Sequence, residues 1–128
     1  MKKEVVFYRC KRCGNVARKD YDMGPPLVCC GEEMVALKAN TQDAAQEKHV
    51  PVVKVEGNRL TVDVGSVEHP MVAEHHIPFI YVETKNGGLR ADLQVGSKPH
   101  ATFTIDANDK AVAVYEYCNL HGLWKFVL

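Results

Sequence analysis

The sequence predicts a mainly β protein. A small metal-binding N-terminal domain over residues 1–37 precedes a seven-stranded antiparallel β-sandwich of the immunoglobulin-like kind over residues 38–128. Three observations predict it. Cys10, Cys13, Cys29 and Cys30 crowd the first quarter of the 128-residue chain, whereas all six histidines lie beyond residue 48. From Val50 onward, short runs rich in Val, Ile, Tyr and Phe alternate with turn residues. No stretch carries a convincing helical period.

The N-terminal segment is too short to bury much apolar surface, so a bound metal is expected to supply its folding energy. In "CKRC", Cys10 and Cys13 have the spacing that lets one tight turn aim both sulfurs at a single ion, and after fifteen intervening residues "CC" adds Cys29 and Cys30. The following "KANTQDAAQEK" lacks large apolar residues and reads as a linker with room for one helical turn capped by Asn40 or Thr41. Strands are expected near 50–55, 59–64, 77–84, 89–95, 101–105, 111–117 and 123–128. "EGN" at 56–58, "KNGG" at 85–88 and "DANDK" at 106–110 supply turns. "RLTVDV" and "AVAVYEY" alternate as half-buried strands should.

Sixteen basic residues balance sixteen acidic ones, so nothing in the charge calls for nucleic acid or an anionic membrane as partner. No apolar run approaches the length of a membrane span, and "MKKEVVFYRC" meets Glu4 and Arg9 too soon for a signal peptide. The expected compartment is the cytoplasm, where thiols stay reduced. Five cysteines there point to metal ligation or redox chemistry more than to disulfides.

Four thiolates suit tetrahedral zinc or iron. Zinc ribbons normally present two C-x-x-C knuckles, and neighbouring cysteines must strain the chain to share one ion. The Cys29–Cys30 pair therefore favours iron and leaves zinc open as a substitute. In the second half the candidate ligands fall at strand ends or in loops. His49 sits in "EKHVPV", His69 and His75 bracket "HPMVAEH", and Cys118 and His121 share "YEYCNLHGLW". A rigid sandwich can gather such positions from distant parts of the chain. His76 adjoins His75, and adjacent side chains on an extended segment face opposite ways, so His75 is the chosen ligand. His100 in "SKPHATF" has no neighbouring ligand and reads as a surface residue. The Cys118–His121 spacing alone fits simple packing, an iron site or blue copper. "GLWKFVL" after His121 offers no axial methionine, which disfavours copper.

With "CKRC…CC", "EKHVP", "HPM…H" and "CNLHG" in this order, the chain closely resembles the desulfoferrodoxins, the two-iron form of superoxide reductase, over nearly its whole length. The resemblance implies that Cys10, Cys13, Cys29 and Cys30 hold a rubredoxin-like iron in a desulforedoxin-like domain. It implies that His49, His69, His75 and His121 surround a second iron, with Cys118 as axial ligand and a sixth position open in the ferrous state. The family's carboxylate matches Glu47 and can fill that position after oxidation; its lysine matches Lys48 and lies beside it. Glu74 stands where more usual members carry a lysine. The implied activity is a detoxifying one, reduction of superoxide to hydrogen peroxide without forming dioxygen. Electrons would come from rubredoxin or a similar small carrier, and the implied assembly is a homodimer. Two other readings predict different behaviour: an iron electron carrier with a closed second site, and a colourless zinc-ribbon interaction module fused to a sandwich.

Overall fold

The structure is a computed structural model that describes residues 4–42 and 44–128. The chain divides into two compact units, Met1–Lys38 and Ala39–Leu128. The first is built from β1 (Phe7–Arg9), β2 (Val16–Arg18), β3 (Val28–Cys29), β4 (Glu32–Glu33) and β5 (Val35–Ala36). They form a three-stranded sheet in the order β2-β1-β5 and a separate β3-β4 hairpin. Among its described residues only Phe7 and Cys10 are buried, while Tyr21, Met23 and Val28 are exposed. Apolar burial alone does not hold such a unit together.

The second unit contains α1 (Gln46–His49), β6 (Pro51–Glu56), β7 (Arg59–Val64), β8 (Phe79–Thr84), β9 (Gly88–Asp92), β10 (His100–Thr104), β11 (Ala111–Cys118) and β12 (Gly122–Val127). The seven strands form two antiparallel sheets, β10-β7-β6 and β12-β11-β8-β9. Side-chain alternation makes the core between them. Leu60, Val62 and Val64 of β7 and Ala101 and Phe103 of β10 join Ile80 and Val82 of β8 and Val114 and Cys118 of β11 in one buried cluster. The other face of β11 is buried too: Tyr117 stacks on Phe79 at 6.1 Å, and Tyr115 donates to Glu83 Oε1 at 2.9 Å.

Strand β8 starts at Phe79 rather than at residue 77 because Pro78 has no N–H for the ladder. The Pro78 carbonyl instead accepts from Leu93, just past the end of β9, which stops at Asp92 rather than 95. The linker's helical turn is α1, but neither Asn40 nor Thr41 caps it. Its N-cap position is Ala45, with no side-chain cap bond; Asp43 lies outside the described residues. Asn40 adopts a left-handed φ of 61° and works as a clasp on the free edge of β12. Its Nδ2 donates to the Lys125 carbonyl at 3.1 Å, its Oδ1 accepts from the Lys125 N–H at 2.9 Å, and its own N–H donates to Leu123.

Replacing Asn40 by Ala removes the two side-chain bonds and places a Cβ residue without compensation in the left-handed region. The expected loss of stability is about 2 kcal/mol, against about 1 kcal/mol for Asn40→Gly, which keeps the backbone freedom. Urea unfolding followed by Trp124 fluorescence measures both; no loss in Asn40→Gly would contradict the clasp, and equal losses would contradict the left-handed cost.

Candidate metal centres

In the first unit all four cysteines are free thiols, and their sulfurs lie within 4.8 Å of one another. Cys13 Sγ is 3.5 Å from Cys29 Sγ, and Cys29 Sγ is 3.9 Å from Cys30 Sγ. A metal–sulfur bond of about 2.3 Å places tetrahedral sulfurs about 3.8 Å apart, so the cluster has the dimensions of a single-ion site. The backbone makes this possible at two knuckles. Gly14 (φ 83°) closes the first turn. Cys30 (φ 53°) and Gly31 (φ 75°) bend the second so that adjacent cysteines converge. The strain expected of the Cys-Cys pair is thus located at Cys30. The Cys13 N–H donates to Cys10 Sγ and the Asn15 N–H to Cys13 Sγ. Donors of this kind hold the Cys10 thiol down at about 6, while the neighbouring sulfurs push Cys30 up to about 12. Without a cation the cluster resists ionising fully.

The second centre lies where α1, the 65–76 loops and the β11–β12 turn meet. His49 Nε2 is 3.1 Å from His69 Nε2 and 3.2 Å from His121 Nδ1. Ring centroids are 4.7 Å apart for His49–His69, 4.5 Å for His69–His75, 5.0 Å for His75–His121 and 4.9 Å for His121–His49. Across the ring His49 and His75 are 6.3 Å apart. The four imidazoles therefore form a closed cycle in the order 49-69-75-121. Neighbouring ligand nitrogens about 3 Å apart are what a metal–nitrogen bond of about 2.1 Å requires. The fifth donor, Cys118, is fully buried in the sandwich core, with Sγ 3.8 Å from His121 Nδ1. The donor atoms of His49, His75, Cys118 and His121 lie within 4.8 Å of one another, and His69 joins through its contact with His49.

The second shell of contacts fixes which nitrogens face inward. His49 Nδ1 bonds the Ala45 carbonyl and His69 Nδ1 the Pro70 carbonyl, each at 2.7 Å, leaving both Nε2 atoms for an ion. His75 Nε2 is buried with no hydrogen-bond partner, an orphan that a metal satisfies. Trp124 stacks on His49 (4.8 Å, 23°) and donates to the His121 carbonyl at 3.1 Å. Burial lowers the pKa values of His49 and His75 and brings His69 to about 4, so these rings are neutral ligands near pH 7. Burial raises the Cys118 thiol, while the backbone N–H groups of Leu120 and His121 oppose the rise. The donor set thus fits a divalent or trivalent transition metal.

Glu47 and Lys48 are exposed on α1, directly before His49. Their turn rests on the 65–67 loop: the Val67 N–H and the Ser66 hydroxyl both donate to the Glu47 carbonyl, at 2.8 and 3.2 Å. A Cβ on Gly65 would lie 2.6 Å from that carbonyl oxygen. His76 turns away from the cycle and bonds the Val72 carbonyl through Nδ1, and His100 pairs with Asp63 at 2.7 Å on the exposed surface of β10. Sequence patterns did not single out Gly65, Trp124 or Asn119; only Asn119 carries a signal, its place between Cys118 and His121.

The family model for desulfoferrodoxin matches residues 41–127. The chain belongs to the desulfoferrodoxin family. The desulfoferrodoxin of Nitratidesulfovibrio vulgaris is 45% identical over 125 residues, covering 98% of each chain. Among solved structures, the superoxide reductase from Treponema pallidum superposes with a TM-score of 0.81 at 38% identity, covering 97% of this chain and 99% of that one. The one-iron superoxide reductase from Giardia intestinalis matches with a TM-score of 0.54 at 32% identity, covering 64% of this chain and 97% of that one. No helix among the described residues is long and apolar enough to cross a membrane.

Because folding holds His49, His69 and His75 below their ordinary pKa, protons compete weakly with a metal at the second centre. Metal retention should survive titration through about pH 6.5 and fail as the pH falls towards about 4, where His69 protonates. Metal content after gel filtration across this range measures it; loss centred on the ordinary imidazole value would contradict the neutral-ring cluster.

Proposed function

We propose that this member of the desulfoferrodoxin family is a superoxide reductase that converts superoxide to hydrogen peroxide without releasing dioxygen. The observation that carries the reading is the closed cycle of four imidazoles with a thiol supplied from the core side. We assign His49, His69, His75, His121 and Cys118 as ligands of one iron, and Cys10, Cys13, Cys29 and Cys30 as ligands of another. Zinc can substitute at the four-cysteine site. Imidazole and thiolate donors suit iron, and the likeness to the superoxide reductases of Treponema pallidum and Giardia intestinalis supports superoxide as substrate.

When bound, iron in the second set, made electron-rich by the Cys118 thiolate, supplies the single electron that turns superoxide and two protons into hydrogen peroxide. The protein's own groups do the rest. Lys48 is exposed next to His49, so its cation attracts the anionic substrate and orders water as a proton source. Glu47, on the same turn, would be the carboxylate available to the oxidised metal. Gly65 lets that turn approach the supporting loop closely, which fixes where Glu47 and Lys48 emerge.

The domain roles follow the same lines. Residues 38–128 carry the reductase, and residues 1–37 form an auxiliary desulforedoxin-like iron domain; the one-iron relative, which matches 64% of this chain, supports that division. A rubredoxin-like carrier is the proposed electron donor and a homodimer the proposed assembly. The cytoplasm is the proposed location, supported by five free thiols.

Mixing reduced protein with superoxide should yield one hydrogen peroxide per superoxide and no dioxygen; dioxygen at half the superoxide consumed would mean dismutation and overturn the reading. Lys48→Ala should slow the encounter at least roughly tenfold with unchanged iron content. An unchanged rate in pulse radiolysis would remove Lys48 from the mechanism.

A further inference from the structure

The four histidines of the second centre are not held alike. His49 and His69 each have a backbone carbonyl on Nδ1, and Trp124 braces both His49 and the His121 backbone. Among the described residues no hydrogen bond holds the His75 ring, whose Nε2 is the orphaned buried atom. The direction of this ligand must come from its backbone. The local bridge between Val72 and His75 closes the loop on itself but ties it to no strand.

Asn119 supplies the missing tie. Its Oδ1 accepts from the His76 N–H at 2.8 Å, its Nδ2 donates to the Glu74 carbonyl at 3.0 Å, and its own N–H donates to the His76 carbonyl at 3.2 Å. The three bonds grip the residues on either side of His75. One partner can only donate and the other only accept, so the orientation of the amide is determined by its surroundings. Asn119 follows Cys118 directly, where β11 and β12 close at the Cys118–Gly122 pair. A single side chain thereby couples the turn that carries Cys118 and His121 to the loop that carries His75.

We infer that Asn119 is a positioning residue that sets His75 against Cys118 and His121, so that the second centre closes around its metal. This inference rests on the ligand assignment above and adds to it a residue that touches neither metal nor substrate. Groups that orient a ligand typically change metal affinity by roughly 10- to 100-fold when removed. Asn119→Ala deletes both side-chain bonds. Asn119→Asp keeps the acceptor for His76 but turns an oxygen towards the Glu74 carbonyl, so it should resemble Ala rather than the parent.

The test uses the full-length, iron-loaded, reduced protein and follows iron release to the ferrous chelator ferrozine, together with the visible spectrum after oxidation. The expected result is release from the second centre at least roughly tenfold faster in both variants, with a displaced thiolate-to-iron band there. The four-cysteine absorption serves as an internal control and should not move. Unchanged release and an unchanged band in Asn119→Ala would overturn the inference. If that variant fails to fold, Asn119→Asp decides on the same two readouts. A parent protein that holds no iron in the second centre would instead overturn the ligand assignment, and the inference with it.

Discussion

The second unit is organised around one constraint: three buried or half-buried imidazole nitrogens with lowered basicity, a fourth from His121 and a buried thiol point at one small volume. With both Nδ1 atoms turned to backbone carbonyls, the Nε2 atoms of His49 and His69, 3.1 Å apart, repel unless something accepts their lone pairs. A cation resolves this at a stroke, because every donor is then satisfied and the burial that disfavours charge on the rings becomes an aid to ligation. The β-sandwich serves that end. Its core strand β11 brings Cys118 up from below, and loops from both sheets bring the histidines in from the rim. Glu116, two residues earlier on the same face of β11, is buried without a partner for its carboxyl oxygens and is held in its neutral acid form by burial. Burial is the main cause that raises the Cys118 thiol, and Glu116 adds a smaller push in the same direction.

The same logic operates in the first unit by a different route. With Phe7 and Cys10 as its buried apolar residues among those described, that unit cannot rely on hydrophobic burial. Four sulfurs at single-ion spacing take the place of a core, and the left-handed backbone at Cys30 is the local cost of using adjacent residues as ligands. The chain thus combines a small unit in which four sulfurs could hold one metal with a sandwich that presents a second set of ligands.

Much of this was legible in the residues. The alternation of "RLTVDV" and "AVAVYEY" marks β7 and β11 because their side chains face a core on one side, and cysteines and histidines announce themselves by chemistry whatever their surroundings. What stayed hidden depends on neighbours distant in sequence. Asn40 looks like a helix cap because Asn often is one, yet the edge of β12, eighty-five residues away, offers it two better bonds. Gly65 matters through the Glu47 carbonyl that packs on it, and Asn119 through the Glu74 and His76 backbone across the loop. No local pattern encodes those partners.

The central claim is that four histidines and Cys118 form an iron site with a position left for substrate. Metal analysis with visible spectra of the oxidised protein, taken before and after adding azide, tests it most directly. The account predicts two irons per chain and a thiolate-to-iron band that shifts with azide and is absent from Cys118→Ser. Zinc in both sites, or a band that azide leaves unchanged, would contradict it.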